Sequence, residues 1–281
     1  MRESIPSRTA LRVALRRAAH QILDSPLVLD DPLAVPIVGE AAAEIRDASR
    51  HQSRIARHFR AFMVARSRYA EDQLAASVAR GVSQYLILGA GLDTSGYRGV
   101  ALGGLHVFEV DHPNTQAWKK DSLAAAKISV PPSVKFVPVD FERQNLPAEL
   151  EAAGFRADQR AFVSWLGVVP YLTKEAAAHT FGFIGRLPQG SGVAFDYSVP
   201  RSSLPLLERL ALDALSRRVA SAGEPFQLFF TPEELEKFLR GLGFVRMEQL
   251  ASKEINARYF ANRQDGLRVG GSAGRIASAW T

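Results

Sequence analysis

A glycine pair that interrupts an apolar run constrains the fold of this chain more than any other feature. The run from Tyr85 to Leu88 is apolar and prone to β structure, and it ends at Gly89 in the sequence YLILGAGLDT. Such a run is typical of a parallel strand that is buried on both faces. Glycines at 89 and 91 permit backbone angles that side chains forbid and let a ligand approach the chain closely. The sequence therefore predicts a strand, a tight corner and a nucleotide-like ligand beside it.

The residue at position 94 separates two classes of cofactor. The fingerprint of dinucleotide-binding sites has a third small residue there, where a helix and a strand pack closely around a pyrophosphate. This chain has Thr94 instead, and we find no Tyr-x-x-x-Lys set for hydride transfer. A nicotinamide-dependent oxidoreductase is therefore a disfavoured alternative. Since glycine pairs also end many strands for turn geometry alone, the corner needs support from the neighbouring strands.

The spacing of apolar runs predicts an α/β protein with a mostly parallel sheet. With 281 residues, 47% of them hydrophobic, the chain can form one large domain. Beyond residue 84, apolar runs alternate with helical stretches at the spacing of βαβ units. We expect strands at 84–88, 105–110, 134–139, 161–166 and 192–197, with weaker ones near 244–250 and 255–260. A helix is expected in TPEELEKFLRGLGF, with Thr231 as its cap and Glu234 completing a capping box.

Carboxylates follow the second and third predicted strands. Glu109 and Asp111 end LHVFEVDHP, about twenty residues after the glycine corner, where a βαβ unit delivers an acid to ribose hydroxyls. Period-two alternation places both on one side of the strand, so either could accept from a ribose. Asp140 and Phe141 end the third strand and suit adenine, although Asp140 could equally cap the next helix.

The composition limits the cellular compartment and the partners that we expect for the chain. The chain has no cysteine, which excludes disulfides and thiolate metal sites and is compatible with a reducing cytoplasm. No apolar stretch approaches the roughly 20 residues that span a bilayer, and the first residues lack a signal-peptide core. We expect a cytoplasmic protein with no membrane partner and no metal site.

Basic residues suggest an anionic partner without identifying one. The formal net charge is +6, and arginines 46, 50, 54 and 57 recur at a spacing that would line one helix face. Because this stripe lacks interleaved aromatics or a nucleic-acid motif, we interpret it as a solvated or salt-bridged face. Nucleic acid is not expected as a partner, and self-association stays open.

Several segments together resemble one known family. The segments TALRVALRRAAHQILDSPLVLDDPLA, VARSRYAEDQL, LILGAGLDT, FEVDHP, VPVDFE, WLGVVPYLT and RYFANRQDGLR resemble the bacterial S-adenosylmethionine-dependent methyltransferases related to leucine carboxyl methyltransferases. The resemblance implies a class I methyltransferase, Rossmann-like sheet of seven strands, the last antiparallel, with helices on both faces. It also implies a helical N-terminal cover over residues 1–80 and a cofactor-binding core over 81–281, as one integrated domain. S-adenosylmethionine carries no pyrophosphate, which suits Thr94.

The resemblance also implies roles for individual residues. It assigns the glycine corner, which contains Gly89, Ala90, Gly91 and Asp93, to the methionine part of the cofactor. Asp111, with Glu109 as the alternative, is assigned to the ribose, and Asp140 with Phe141 to adenine. Arg66 in VARSRY matches an arginine near the cofactor carboxylate, for which a guanidinium fork is the best partner; Arg68 is its rival.

One position departs from the family pattern and weakens any inference about the acceptor. Relatives often have a glutamate shortly before the tyrosine of the strand-four motif, where this chain has Leu166. Trp165, Leu166, Pro170 and Tyr171 are then expected to wall the cofactor and reaction chamber, although Trp165 could be core. Methyl transfer mainly requires alignment and exclusion of water.

The acceptor is inferred from these residues to be an oxygen atom. A carboxylate is already ionised at pH 7, whereas a phenol requires a base, for which His20, Tyr171 and Tyr197 are candidates, with His112 as a further one. We predict O-methylation of a small-molecule carboxylate or phenol. The alternative from another class is a methyltransferase-like protein that binds the cofactor without turnover.

Overall fold

A seven-stranded sheet forms the centre of the molecule. The computed structural model describes residues 8–46, 53–98, 104–140, 144–220 and 225–281. The strands are β1 (Gln84–Leu88), β2 (His106–Asp111), β3 (Val134–Pro138), β4 (Ala161–Trp165), β5 (Gly192–Ser198), β6 (Arg246–Leu250) and β7 (Gly274–Trp280). Their spatial order is β3-β2-β1-β4-β5-β7-β6. Strands β1 to β5 pair in parallel, and β7 runs antiparallel between β5 and β6. This is the class I methyltransferase-like fold.

Helices precede, connect and cover these strands. They are α1 (Arg8–Leu23), α2 (Ala34–Val38), α3 (Arg54–Val78), α4 (Pro113–Ala125), α5 (Leu146–Ala152), α6 (Lys174–Gly185), α7 (Leu206–Ala220), α8 (Pro232–Arg240) and α9 (Ser252–Tyr259). Short 3-10 segments occur at Gly39–Arg46, Ser95–Tyr97, Val169–Tyr171 and Arg201–Ser203. Among the described helices, none is long and apolar enough to cross a membrane.

The central strand β1 is buried on both faces, as its uniform apolar sequence predicts. Tyr85 and Ile87 pack into the cluster that contains the α3 side chains of Val64 and Ala65. The alternate residues, represented by Leu86, pack into the opposite cluster with helices α5, α6 and α8. Because successive strand side chains point to opposite faces, a strand between two helical layers must be apolar at every position.

The N-terminal helices reach the sheet in two ways. Helix α3 lies on one face of it, whereas α1, α2 and the following 3-10 segment form a separate apolar cluster with Leu92 and Leu123. The α1 helix therefore packs beside the loop that follows β1. We refer to the segment from α1 to α3 as the cover; its division from the core at residue 80 stays a prediction.

Most of the predicted elements are confirmed, and one strand is wrong. The first five strands and the sixth lie where expected, and Thr231 caps α8 with the predicted Glu234 capping box. Residues 255–260, predicted as a weak strand, belong mostly to α9, whose first turn is stabilised by Glu254 accepting from the Ala251 amide at 3.1 Å. The seventh strand is instead Gly274–Trp280, whose glycine, serine and alanine residues are weak β formers outside their tertiary setting.

The proposed arginine stripe does not lie on one helix. Arg46 ends a 3-10 segment, α3 begins only at Arg54, and arginine 50 lies outside the described residues. Arg57 is bound to the chain itself, since its Nη2 donates to the carbonyl oxygen of Asp265. The prediction of a single basic helix face is therefore wrong, because Arg46 belongs to a 3-10 segment and Arg54 begins a separate α-helix.

Candidate active site

The corner after β1 leaves no room for side chains at its glycines. Gly89 and Gly91 have φ values of 67° and 45°, a region that favours glycine. A Cβ atom on Gly89 would lie 2.4 Å from Cγ2 of Val168, which follows β4. The amides of Gly89 and Ala90 donate to the carbonyl oxygen of Val110 at 2.8 and 3.1 Å. The glycine corner is thus fastened to β2 and closely approached by the loop after β4.

Asp111 faces the glycine corner, as its distance along the chain predicts. Its Oδ2 accepts from the Gly91 amide at 2.6 Å, and its Oδ1 accepts from the His112 amide at 2.7 Å. Burial raises the pKa of Asp111, although both amides oppose the rise. Each carboxylate oxygen can still accept a further hydrogen bond. The side chain therefore holds the corner and presents acceptor capacity beside it.

Glu109 occupies a different environment from Asp111. It is fully buried, its Oε1 lies 2.7 Å from Nζ of Lys119 on α4, and its Oε2 accepts from the Tyr97 hydroxyl at 2.9 Å. Burial raises its pKa against the attraction of Lys119. Both oxygens are thus engaged with groups beneath the corner, which distinguishes the two acids that the sequence left open.

Asp93 closes the turn after the glycines. Its Oδ1 accepts from the Ser95 amide at 2.7 Å. Burial alone would raise the pKa of Asp93, but the charges of Arg17 and Lys119 and the bonds from Ser95 together lower it. The carboxylate is therefore kept ionised at the edge of the corner.

Arg66 lies between the ends of β4 and β5. It is buried on α3, and its Nη1 lies 3.0 Å from Oδ2 of Asp196. A Cβ atom on Gly167 would lie 2.8 Å from its Nη2, while the Gly167 amide donates to Oδ1 of Asp196 at 2.6 Å. The Nε of Arg66 is buried and has no hydrogen-bond partner among the described residues. The guanidinium of Arg66 therefore packs against Gly167, whose neighbour Val168 covers Gly89.

Asp196 was not singled out from the sequence, and Arg68 has a separate role. The signal for Asp196 is a single acid inside the apolar strand GVAFDYS, which a buried strand tolerates only when the charge is paired. Arg68, the rival of Arg66, is half exposed and pairs with Asp72 at 2.7 Å on the same helix. The structure brings Arg66, and not Arg68, to the carboxyl ends of the strands.

The residues after β4 form an apolar wall. Trp165 is 1% exposed, and its ring centre lies 4.9 Å from that of Phe181, so its side chain belongs to the core. Leu166 is partly buried and packs against the opposite cluster, beneath α3. Neither side chain carries charge, consistent with the departure noted in the sequence.

The two residues expected at adenine differ in what the structure describes. Asp140 follows β3 and is half-buried; its backbone amide donates to Oε1 of Gln144 at 2.8 Å, and its carbonyl oxygen accepts from the Gln144 amide at the same distance. Phe141 lies outside the described residues. The assignment of this pair to adenine stays a prediction.

Two of the three base candidates that the sequence suggested, His20 and Tyr197, are enclosed by protein groups. His20 is fully buried, with Nδ1 2.8 Å from Oδ2 of Asp24 and Nε2 accepting from the Val28 amide at 3.0 Å. Tyr197 is 1% exposed and donates to the Gln249 side chain; burial raises its pKa to about 12. His112 caps α4 by accepting from the Asn114 amide at 3.2 Å.

Tyr171 differs because it is only partly buried. It ends the 3-10 segment after β4, and its ring centre lies 5.1 Å from that of Phe226 with an interplanar angle of 30°. The segment that carries Phe226 is fastened there by the Gln227 amide, which donates to the carbonyl oxygen of Pro170 at 2.8 Å. No group of three or more potential metal ligands occurs among the described residues.

Comparison with known proteins gives one consistent result. The family model described as leucine carboxyl methyltransferase matches residues 10–185. The chain is 33% identical to the Bacillus subtilis (strain 168) protein named "Putative S-adenosyl-L-methionine-dependent methyltransferase YktD", over 95% of each chain. Its fold is similar to that of a DUF574 family protein from Streptomyces avermitilis, with a TM-score of 0.59 at 18% identity over 95% of this chain and 96% of that one. A methyltransferase candidate from Thermobifida fusca gives a TM-score of 0.61 at 18% identity, over 100% and 96% of the two chains.

Proposed function

The chain belongs to the leucine carboxyl methyltransferase family, and from that premise we propose that it methylates an oxygen atom of a small acceptor, a carboxylate or a phenol. Dependence on S-adenosylmethionine and the general methyl-transfer reaction come with the family. The family assignment also removes the nicotinamide-dependent alternative. The nature of the acceptor and the role of each residue are argued from the site.

The residues around the glycine corner fit S-adenosylmethionine. The unsatisfied Nε of Arg66 is suited to the cofactor carboxylate, since a guanidinium binds a carboxylate through charge-assisted hydrogen bonds. Gly89 and Gly91 are required by the close approach of Val168 and Ala10, which keeps the corner free of side chains of its own at these two positions. When bound, the cofactor supplies a methyl group that its sulfonium has already activated. The chain then has to bind, orient and exclude water.

Asp111 is the better of the two acids for the ribose. Among the described residues, the Asp111 oxygens accept hydrogen bonds only from backbone amides. Glu109, in contrast, is fully buried and is bound by Lys119 and Tyr97. A ribose diol at Glu109 would have to displace a buried ion pair, which is costly. We therefore propose Asp111 for the ribose and retain Asp140 with Phe141 for adenine.

One observation carries the proposal of an oxygen acceptor: apart from Asp111, which is proposed for the ribose, the described acids near the ends of β1, β2 and β5 already have partners. Asp93 is bonded to Ser95, Glu109 to Lys119, and Asp196 to Arg66. An amine acceptor arrives with a positive charge and requires a carboxylate to hold it and to receive its proton. The wall after β4 supplies Leu166 at that point, so an anionic or neutral oxygen acceptor suits the chamber better.

The environments of the base candidates favour a carboxylate over a phenol as the acceptor. Both ring nitrogens of His20 are engaged by the protein, and Tyr197, with its pKa raised to about 12, is protonated at neutral pH. A carboxylate acceptor is ionised at pH 7 and needs no proton acceptor. Tyr171 stays the candidate that contacts the acceptor, because it is the partly exposed one of the three.

The test is a turnover assay with S-adenosylmethionine across matched small acids, phenols and amines, in which release of S-adenosylhomocysteine is measured. We expect turnover of an acid or a phenol, and for an acid a rate nearly flat from about pH 6 to 9, since its ionisation is complete there. Turnover of amines alone would contradict the proposal. Binding of the cofactor without turnover of any acceptor would support the non-catalytic alternative.

A further inference from the structure

A buried arginine of the cover reaches the loop that follows the glycine corner. Arg17 lies on α1 and is 3% exposed. Its Nη1 donates to the carbonyl oxygen of Leu92 at 3.3 Å, and its Nη2 donates to the side chains of Thr94 and Asp31. The same guanidinium lies 3.9 Å from Oδ2 of Asp93. One side chain of the cover thus contacts three consecutive residues of the loop.

Asp31, in the loop before α2, binds Arg17, Thr94 and Arg98, and we call these four residues the junction. It is fully buried, and its Oδ1 accepts from the Thr94 hydroxyl at 2.9 Å and lies 3.0 Å from Nε of Arg98. Arg98 in turn pairs with Glu71 on α3. The hydroxyl of Thr94 is therefore enclosed by an acid and two arginines. The junction thus connects three parts of the cover, namely α1, the loop that precedes α2, and helix α3, to Thr94 in the loop after the glycine corner.

The junction lies next to the glycines themselves. A Cβ atom on Gly91 would lie 3.1 Å from Cβ of Ala10, so the first turns of α1 contact the corner directly. Position 94 is where dinucleotide sites place a small residue for helix packing. Here the Thr94 hydroxyl is bonded to Arg17 and Asp31 of the cover.

We propose that Arg17 is a positioning residue of the cofactor site: it fixes the loop at Leu92 and Thr94 while it holds α1 in place, without contacting the cofactor. The inference rests on the proposed cofactor site at the glycine corner. Because binding equilibria that share one structural element are linked reciprocally, a bound cofactor is expected to slow the opening of α1.

The experiment measures S-adenosylhomocysteine binding by calorimetry for wild type, Arg17→Lys, Thr94→Val and Thr94→Ser. We expect Arg17→Lys and Thr94→Val to weaken binding at least tenfold and threefold respectively, and Thr94→Ser, which keeps the hydroxyl, to stay within twofold. Hydrogen exchange over 8–23 is expected to slow when S-adenosylhomocysteine binds wild type and to change little in Arg17→Lys. Thr94→Val keeps the test available if Arg17→Lys does not fold.

The matched control is Arg60→Lys. Arg60 is equally buried in the cover and pairs at 2.7 Å with Asp24, which belongs to the cover and not to the loop that follows β1. If Arg60→Lys weakens binding as much as Arg17→Lys, the cofactor responds to the stability of the cover in general and the proposal is overturned. Unchanged binding in both Arg17→Lys and Thr94→Val overturns it as well. Absence of binding by folded wild type would instead refute the cofactor site itself.

Discussion

The two sides of the candidate site differ in the kind of side chain that lines them. On the cofactor side, at the ends of β1 and β2, charged side chains are fixed by hydrogen bonds: Arg17 and Asp31 are buried and bonded to each other, and Asp111 accepts from the Gly91 amide. On the acceptor side, the loop after β4 presents apolar and aromatic side chains, with Leu166 and the tilted ring pair of Tyr171 and Phe226. Charged networks require every partner, whereas apolar walls tolerate changes of shape. The proposed cofactor side thus has a fixed geometry, whereas the proposed acceptor side has an adaptable surface.

The largest difference between the two sides is expected in the free energy of unfolding, when one buried charge on the cofactor side is removed. Asp31→Ala would leave Arg17 and Arg98 without their shared acid, and breaking a buried pair costs about 3 to 5 kcal/mol. We expect the free energy of unfolding in urea to fall by that amount. Tyr171→Leu, on the acceptor side, is expected to cost about 1 kcal/mol or less. Equal losses for the two variants would contradict the distinction.

The next effect concerns the affinity for the cofactor. Asp111→Asn keeps the size of the side chain but loses its charge, which costs roughly 1.5 to 3 kcal/mol if a ribose is bound. S-adenosylhomocysteine is then expected to bind at least tenfold more weakly by calorimetry. The comparison variant is Glu109→Gln, provided that its far-ultraviolet circular dichroism shows a folded protein. If Glu109→Gln loses the affinity and Asp111→Asn does not, the ribose has been assigned to the wrong acid.

A smaller effect is expected at Arg66. Arg66→Lys retains the positive charge beside Asp196 but loses the planar fork, so we expect S-adenosylhomocysteine to bind roughly three- to tenfold more weakly. Arg68→Lys is the matched control, since Arg68 pairs with Asp72 at the surface. A loss found only in Arg68→Lys would move the role two residues along α3.

The smallest effect is expected on the acceptor side. Phe226→Leu removes the ring that packs against Tyr171 and keeps an apolar wall, so we expect the KM for the acceptor to rise roughly two- to fivefold. The affinity for S-adenosylhomocysteine is expected to stay the same, because Phe226 lies against the loop after β4. A parallel loss of cofactor affinity would show that the two sides are not separable.

The sequence was informative where a pattern is local or regularly spaced. The run from Tyr85 to Leu88 and the cap at Thr231 depend on neighbours in the chain, and both are confirmed. The spacing from Gly91 to Asp111 is the one predicted for an acid at the end of the second strand, and the structure joins these residues, although the described part of the connection forms a 3-10 segment, Ser95–Tyr97. The spacing of apolar runs likewise predicts the mostly parallel sheet, whereas the seven-stranded family fold was implied by the resemblance.

Long-range pairing explains what the sequence did not provide. The seventh strand, Gly274–Trp280, has a weak local signal and is defined by its place between β5 and β6. The pairs Arg66–Asp196 and Arg17–Thr94 join residues separated by 130 and 77 positions. No spacing rule relates such residues, because their contact depends on how α1 and α3 pack against the sheet.

The proposed cofactor site is best tested by a crystal structure of the protein with bound S-adenosylhomocysteine. We expect the ligand carboxylate within hydrogen-bond distance of Arg66, the ribose hydroxyls on Asp111, and the methionine part against the glycine corner. We also expect Arg17 to keep its bonds to Leu92 and Thr94 without contacting the ligand. A ligand whose ribose lies at another acid, or whose carboxylate is bound away from Arg66, would show that the site is assigned wrongly.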